Sequence, residues 1–304
     1  MKDWNKIRLI GVVLVFLLGA CSLQFFLGED RHEEALVNKD ELSEFVGERR
    51  ECRFFDEQLF FLGDEYARKQ EINKKKVIRG GVVPHHLLPS YIINDFFYRL
   101  SFQNVKTIVI VGPNHDEIGN ESVVTSDVSW NDYFGEVFPD QVIIKKLEGK
   151  GISVDNSFIE KEHSISGLIP FLNYYLPETK IVPLIVRQKI NKEEMNNVVN
   201  LLGEIIKDQE AVIVASVDFS HYLTSSEAQE KNRETRVALE NRDCEQLLAW
   251  SNNHLDSPQS ISILLKVMEG IGANKMNILH DTDSGQLTGD YLSETTSYFG
   301  ITFE

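Results

Sequence analysis

The sequence predicts an α/β fold, a single-domain αβα sandwich in which helices cover both faces of a mainly parallel or mixed sheet. Short runs that are apolar throughout alternate along the chain with longer segments of helical periodicity. The runs at 107–111 and 211–217 are rich in Val and Ile at consecutive positions, which is typical of strands buried on both faces of a parallel sheet. These two observations favour α/β over all-α or all-β classes.

The alternation extends from residue 77 to near the end of the chain. Strands are predicted at 77–83, 107–111, 180–186, 211–217, 275–280 and 296–303. Helices are predicted at 90–101, 164–175, 227–240, 243–252 and 258–269, and on the apolar stripe formed by Met195, Val198, Val199, Leu202, Ile205 and Ile206. We therefore assign the α/β domain to residues 77–304.

Residues 29–76 differ in composition from the domain that follows them. Residues 29–50 are dense in charge and poor in apolar residues, which predicts a solvated stalk or helical spacer. Residues 53–73 space their apolar side chains as an amphipathic helix does. We expect that helix to pack onto the domain.

The first 28 residues predict a membrane-targeting segment. Basic residues precede the apolar stretch 9–20, which ends in Leu-Gly-Ala immediately before Cys21. This order resembles a bacterial lipoprotein signal in which Cys21 is lipidated, and we favour that interpretation. The alternative is an uncleaved anchor, because 9–28 is long enough to cross a bilayer. Both alternatives place the folded part outside the cytoplasm and tethered to a membrane.

Charge and cysteine content narrow the possible functions. The formal charge is −16 and no basic face is visible, which argues against nucleic-acid binding. Beyond Cys21 only Cys52 and Cys244 remain, and neither has a second cysteine at metal-ligand spacing. We expect both to be structural, and their spacing leaves a disulfide open.

Three apolar runs of the predicted sheet lead into His85, His115 and His221. Ligand sites of open α/β sheets lie at the carboxyl ends of the strands, so we expect these side chains at one edge. Imidazole binds Fe, Cu and Zn, and two histidines with one carboxylate form the ligand set of non-haem Fe(II) enzymes. The pattern therefore predicts a metal centre.

Further candidates lie close to these histidines in the sequence. They are His86, Asp116, Glu162, His163, Asp218 and Asp256. No HExxH or HxH motif is present, so the hypothesis depends on placement at strand ends. We expect His86 and Asp116 to point away from their neighbours on an extended backbone, towards hydrogen-bonding partners or solvent. Glu162 is expected to orient His163 or to face water, and His32 and His280 are assigned no role.

Five motifs in order resemble the Memo family, whose bacterial and archaeal members are called AmmeMemoRadiSam system protein B. They are VVPHH, VGPNHD, EKEHS, SVDFSH and SGQLTGDYLSETTSYFGI, spread over roughly 77–304. The resemblance implies an α/β sandwich similar to class III extradiol dioxygenases of the protocatechuate 4,5-dioxygenase type, with a metal at the strand ends. It also implies AMMECR-type and radical-SAM proteins as pathway partners, from which an extracytoplasmic location would separate this chain.

The resemblance assigns roles to particular residues. His85 and His115 match metal ligands of the family, and His163, Asp218 and His221 match residues that line its pocket. Of these, His163 and His221 would be acid/base or substrate-orienting groups.

The third ligand departs from the family pattern. Many relatives have Cys where this chain has Asp256, so the resemblance implies a His/His/Asp centre. A carboxylate favours Fe(II) or another hard divalent ion over Cu(I), with copper or zinc as alternatives. Asp256 has a second possible role, as the N-cap of a helix that starts at 257 or 258. His254 is a substitute ligand without a family match.

Three functions follow from these residues. The favoured one is a metal-dependent, dioxygenase-like redox enzyme that acts on a small-molecule substrate, with proton transfer by His163 or His221. The second is a metal-binding module without turnover, which handles iron or copper or supports a partner. The third is a metal-assisted hydrolase with Asp218 or His163 as the base.

Overall fold

The computed structural model of the chain describes residues 47–157, 159–208 and 210–304. The strands are β1 (Arg49–Glu51), β2 (Gly80–Val83), β3 (Thr107–Pro113), β4 (Val123–Thr125), β5 (Ser129–Asp132), β6 (Gly135–Val137), β7 (Ser153–Val154), β8 (Lys180–Val186), β9 (Ala211–Ser216), β10 (His221–Leu223), β11 (Met276–Asp283) and β12 (Thr295–Phe303). The helices are α1 (Glu57–Arg68), α2 (Ser90–Leu100), α3 (Gln141–Glu148), α4 (His163–Ser166), α5 (Ile169–Tyr175), α6 (Lys192–Asp208), α7 (Ser225–Glu240), α8 (Cys244–Leu248), α9 (Pro258–Ile271) and α10 (Ser284–Thr288).

The main sheet contains nine strands in the order β10-β12-β2-β9-β3-β8-β4-β7, with β11 paired to β12. The central strands β2, β9, β3 and β8 are parallel neighbours. Strand β12 runs antiparallel to β2, and β4 runs antiparallel to β8. The predicted α/β fold with a mixed sheet is therefore confirmed. Strands β1, β5 and β6 form a separate sheet.

The central strands are buried on both faces because successive side chains point to opposite sides of a sheet. In β3, Ile108 and Ile110 belong to one hydrophobic core, whereas Val109 and Val111 belong to the other. Helices α1, α2 and α5 contribute side chains to the first core, and α6 and α9 to the second. The sheet therefore lies between two helical layers.

Two predicted helices differ most from the elements that the structure forms. The helix predicted at 164–175 is divided into α4 and α5. Helix α4 ends at Ser166 with Gly167 as its C-cap, and Pro170 in the first turn of α5 has no N–H to continue the helix. The helix predicted at 243–252 is the short α8, and residues 249–257 lead from it into α9. The strand predicted at 180–186 has those bounds in the structure.

Residues 47–76 pack closely onto this body, and residues 47–304 form one compact unit. Asp56 caps α1 by accepting a hydrogen bond from the backbone N–H of Leu59. Phe60 is fully buried, with its ring centroid 4.9 Å from that of Phe171 in α5. Residues 49–51, at the end of the predicted stalk, form β1 and pair with β5.

The predicted targeting segment, residues 1–28, lies outside the described residues. Within the part of the chain that the structure describes, no helix is both long and apolar enough to cross a bilayer. Cys52 and Cys244 are both free thiols, so the disulfide that the sequence left open is not formed.

Candidate metal centre

Three neighbouring parallel strands deliver polar side chains to one edge of the sheet. Strands β2, β9 and β3 lie side by side. His85 follows the end of β2 by two residues, Asp218 follows β9 by two, and His115 follows β3 by two. Because the carboxyl ends of parallel strands meet at the same edge, this common offset brings the three side chains together.

Asp256 joins this cluster from the loop that precedes α9. Its Oδ2 lies 3.3 Å from Nε2 of His85 and 3.8 Å from Nε2 of His115. The same oxygen accepts a hydrogen bond from the backbone N–H of Asp218 at 3.2 Å. The N-cap of α9 is instead Ser257, which accepts from the N–H of Ser260, so the alternative role of Asp256 as a helix cap is wrong. The carboxylate points into the histidine cluster.

Glu162 holds His115 through two contacts. Its Oε1 lies 2.7 Å from Nδ1 of His115, and its Oε2 accepts from the backbone N–H of His115 at 3.0 Å. Glu162 also caps α4 by accepting from the N–H of Ser164. Its Oε1 is 3.9 Å from Nδ1 of His163, beyond hydrogen-bonding distance. The expectation that Glu162 orients His163 or faces water is therefore wrong, because it is buried against His115.

His163 completes a group of three imidazoles. Its ring stacks on that of His115, with centroids 4.1 Å apart and planes 19° from parallel. Ligand atoms of His85, His115 and His163 all lie within 4.8 Å of one another, as do those of His85, Asp218 and Asp256. Either group provides donor atoms suited to a transition metal.

His221, the first residue of β10, lines the same site. Its Nδ1 lies 3.2 Å from the hydroxyl of Thr296, and its Nε2 is buried without a hydrogen-bonding partner among the described residues. Oδ1 of Asp256 is likewise buried and unpaired within the described part of the chain. Buried polar atoms are ordinarily paired, so two such atoms at one site indicate that a ligand belongs there.

The carboxylates raise the pKa of two imidazoles. Burial disfavours the imidazolium of His115, but hydrogen bonds and charge from Asp256 and Glu162 outweigh it and raise the pKa to about 10. Burial also opposes the charged form of His85, and the facing Asp218 and Asp256 raise its pKa nevertheless. The carboxylates therefore favour positive charge at this position, which suits a cation.

The pKa values of His163, Glu162 and His221 are lowered instead. Burial and the neighbouring His85 and His115 lower the pKa of His163 to about 4, so this imidazole is neutral at neutral pH. Burial opposes ionisation of Glu162, but its contacts with His115 lower the pKa of this carboxyl to about 2. Burial likewise lowers the pKa of His221, despite the nearby carboxylates.

A cavity of about 520 Å³ opens onto the cluster. Phe54, Leu87 and Tyr222 provide apolar surface, and Asn252 and Thr296 provide polar groups. None of the described side chains that line it belongs to Lys or Arg. No sequence signal marks these lining residues, because they come from separate loops that meet only in the folded chain.

The other described histidines have hydrogen-bonding partners outside the cluster. His86 reaches the cavity, but its Nδ1 contacts the hydroxyl of Tyr298. Nε2 of His254 lies 2.8 Å from Glu234, so His254 does not face the cluster and is no substitute ligand. His280 pairs with a buried aspartate on α2.

A mixed α/β fold with histidines and carboxylates gathered at the carboxyl ends of its parallel strands defines an α/β protein with a candidate metal centre. Comparison with known protein families then identifies the chain more closely. It belongs to the Memo-like protein family, whose sequence model matches residues 57–302. The family predicted from the five motifs is therefore confirmed.

Relatives in this family cover most of the chain at modest identity. A MEMO1 family protein of Aquifex aeolicus is 27% identical over 245 residues, which are 78% of this chain and 89% of the relative. One from Nitrosopumilus maritimus is 27% identical, over 79% of this chain and 89% of its own length. Among solved structures, the chain is similar to that of an uncharacterized protein from Escherichia coli K12, with 12% identity and a TM-score of 0.49. The match covers 73% of this chain and 99% of that one, and it assigns no family.

Proposed function

We propose that this chain binds a divalent metal ion through His85, His115 and Asp256 and acts as a non-haem, dioxygenase-like redox enzyme. The supporting observation is that one carboxylate oxygen of Asp256 faces Nε2 of both histidines, while its second oxygen is buried and unpaired within the described chain. Two imidazoles and one carboxylate are the ligand set of non-haem Fe(II) enzymes. The proposed ion is therefore Fe(II), with zinc or copper as alternatives.

The protein would contribute positioning and proton transfer. His163 stacks on His115 and lines the cavity, which places its imidazole to exchange a proton with a bound substrate. The buried, unpaired Nε2 of His221 gives a second proton-handling group at the same cavity. Oδ1 of Asp218 accepts from the backbone N–H of His85 at 3.1 Å and thereby fixes the end of β2. A bound Fe(II) would supply the redox chemistry towards O₂.

The cavity beside the cluster suits a small organic substrate. Its volume of about 520 Å³ falls within the range of about 300–1,000 Å³ that is usual for ligand sites. The cavity is lined both by apolar surface from Phe54, Leu87 and Tyr222 and by polar groups, which allows a substrate to be held by contact and oriented by hydrogen bonds.

Elemental analysis of protein purified with and without oxygen tests this proposal. We expect about one equivalent of iron in the anaerobic wild type and its loss in His85→Ala and His115→Ala, because each change removes a donor atom. Metal retained by both variants at the wild-type level would contradict the assignment. Oxygen consumption with a panel of catechol-type substrates then distinguishes an enzyme from a metal-binding module, which would hold iron without turnover.

We further propose that residues 1–28 tether the domain to a membrane on its extracytoplasmic side, on the basis of the basic, apolar and small-residue order before Cys21. Labelled fatty acid should be incorporated into the wild type and not into Cys21→Ala. Membrane association that persists without the label would favour the uncleaved anchor instead. Recovery of both proteins in the soluble fraction would exclude both kinds of tether.

A further inference from the structure

We infer that Glu162 is a positioning residue of the candidate metal centre. Through hydrogen bonds to the ring and the backbone of His115, it directs Nε2 of that imidazole at Asp256. The inference builds on the proposed metal site, since it explains how one of the proposed ligands is held ready.

The contacts of Glu162 determine which nitrogen of His115 is free. Oε1 of Glu162 is 2.7 Å from Nδ1. Because a carboxylate can only accept, Nδ1 is protonated and its N–H donates a hydrogen bond to Glu162. The other ring nitrogen, Nε2, faces Oδ2 of Asp256 at 3.8 Å and is the atom left to bind a metal, which would displace any proton it carries. A carboxylate on the outer nitrogen of a histidine fixes the tautomer and the ring orientation, and it also makes the imidazole a stronger donor to a metal.

The carboxylate of Glu162 is itself held rigidly. It is buried, and besides the two contacts to His115 it accepts from the N–H of Ser164 at 3.0 Å. Helix α4 in turn packs directly on the end of β3, where a Cβ on Gly112 would lie 2.5 Å from Oγ of Ser164. One side chain therefore ties the end of β3 to the start of α4, which carries His163.

The other proposed histidine ligand is held more weakly. Nδ1 of His85 has the hydroxyl of Ser216 at 3.3 Å, a long and uncharged contact. Short hydrogen bonds to a carboxylate are about twice as strong as neutral ones. We therefore expect the ring orientation of His115 to depend on Glu162 more strongly than the ring orientation of His85 depends on Ser216.

Two substitutions separate positioning of His115 from capping of α4. Glu162→Asp keeps the charge and a favoured N-cap residue, but its side chain is one carbon too short to keep both contacts with His115. Glu162→Gln keeps the length and one oxygen that accepts from Nδ1–H, but its NH₂ group replaces the oxygen that accepts from the backbone N–H of His115. Gln is also a poor cap and carries no charge. Glu160→Gln is the matched control. Glu160 lies two positions before Glu162 in sequence and forms a surface ion pair with Arg53.

The readouts are zinc affinity by calorimetry on the full chain and, in the zinc-bound protein, the protonation of Nδ1 of His115 by ¹⁵N NMR. We expect Glu162→Asp to bind zinc about 10–100-fold more weakly, as is typical when the partner of a metal-ligating histidine is lost. Glu162→Gln should lose less zinc affinity and keep the proton on Nδ1 of His115. Glu160→Gln should bind zinc as tightly as the wild type does. The reverse order, with Glu162→Asp close to wild type and Glu162→Gln the weaker binder, would show that Glu162 acts through the helix cap and would overturn the inference.

The metal-free protein distinguishes this inference from the proposed function. If the wild type binds no zinc or iron, the proposed function fails. Hydrogen exchange at Nδ1–H of His115 then tests whether Glu162 holds the ring. Exchange should be slow in the wild type and in Glu162→Gln and fast in Glu162→Asp. Equally fast exchange in all three proteins would refute positioning by Glu162 whether or not a metal binds.

Discussion

Asp256→Ala is expected to abolish stable binding of a divalent metal to this protein. Oδ2 of Asp256 lies between the two histidines, 3.3 Å from Nε2 of His85 and 3.8 Å from Nε2 of His115. Loss of a proposed ligand should cost more than the about 10–100-fold that is typical for loss of a ligand's hydrogen-bonding partner. The measurement is an anaerobic titration with Fe(II), together with the metal content of the purified protein. Asp116→Asn is the matched control, because Asp116 is exposed and adjoins His115 in sequence without joining the cluster.

Asp256→Cys tests the chemical consequence of the carboxylate. A thiolate is a softer ligand than the carboxylate that it would replace. We expect the variant to retain a metal but to shift in preference from Fe(II) towards Cu(I) or zinc. A full equivalent of iron in Asp256→Ala, or an unchanged preference in Asp256→Cys, would show that Asp256 does not bind the metal.

The strand ends could be predicted from sequence because their signal is local. Strands β3 and β9 are buried on both faces, so they appear as continuous apolar runs, and the polar residue two positions beyond each run falls at the carboxyl edge. On that basis His85, His115 and His221 are predicted to share one edge. In the structure the residue two positions beyond β9 is Asp218, whereas His221 begins β10. Asp256 could not be placed there on that basis, since it comes from the loop before α9, and its pattern suited a helix cap equally well.

The partner of His115 was not predictable for a related reason. Glu162 is 47 positions from His115, and its neighbour His163 appeared to be the natural partner. The contact depends on where α4 sits, and a helix of four residues has little propensity of its own to fix its position. The position of α4 is therefore set by tertiary packing.

Strand β1 is a similar case, because a charge-rich segment forms a strand only through its pairing with β5.

Gly112→Ala is expected to destabilise the protein and weaken metal binding together. The new methyl group would lie 2.5 Å from Oγ and 2.9 Å from Cβ of Ser164, too close for either atom to remain in place. Overpacking of this kind costs about 1–3 kcal/mol in the free energy of unfolding. Helix α4 would have to move away from β3, which also breaks the hydrogen bond from Oγ of Ser164 to the carbonyl of Pro113.

Gly203→Ala is the matched control for that substitution. Gly203 lies inside α6, and no described atom apart from its chain neighbours and its own helix lies within 4 Å of the added Cβ. Alanine in a helix interior should raise the free energy of unfolding by about 0.5–1 kcal/mol, so the two substitutions are expected to have opposite signs. Chemical denaturation measures both, and zinc calorimetry shows whether α4 carries Glu162 away from His115. A stable Gly112→Ala with wild-type zinc affinity would mean that the position of α4 does not depend on its close approach to β3.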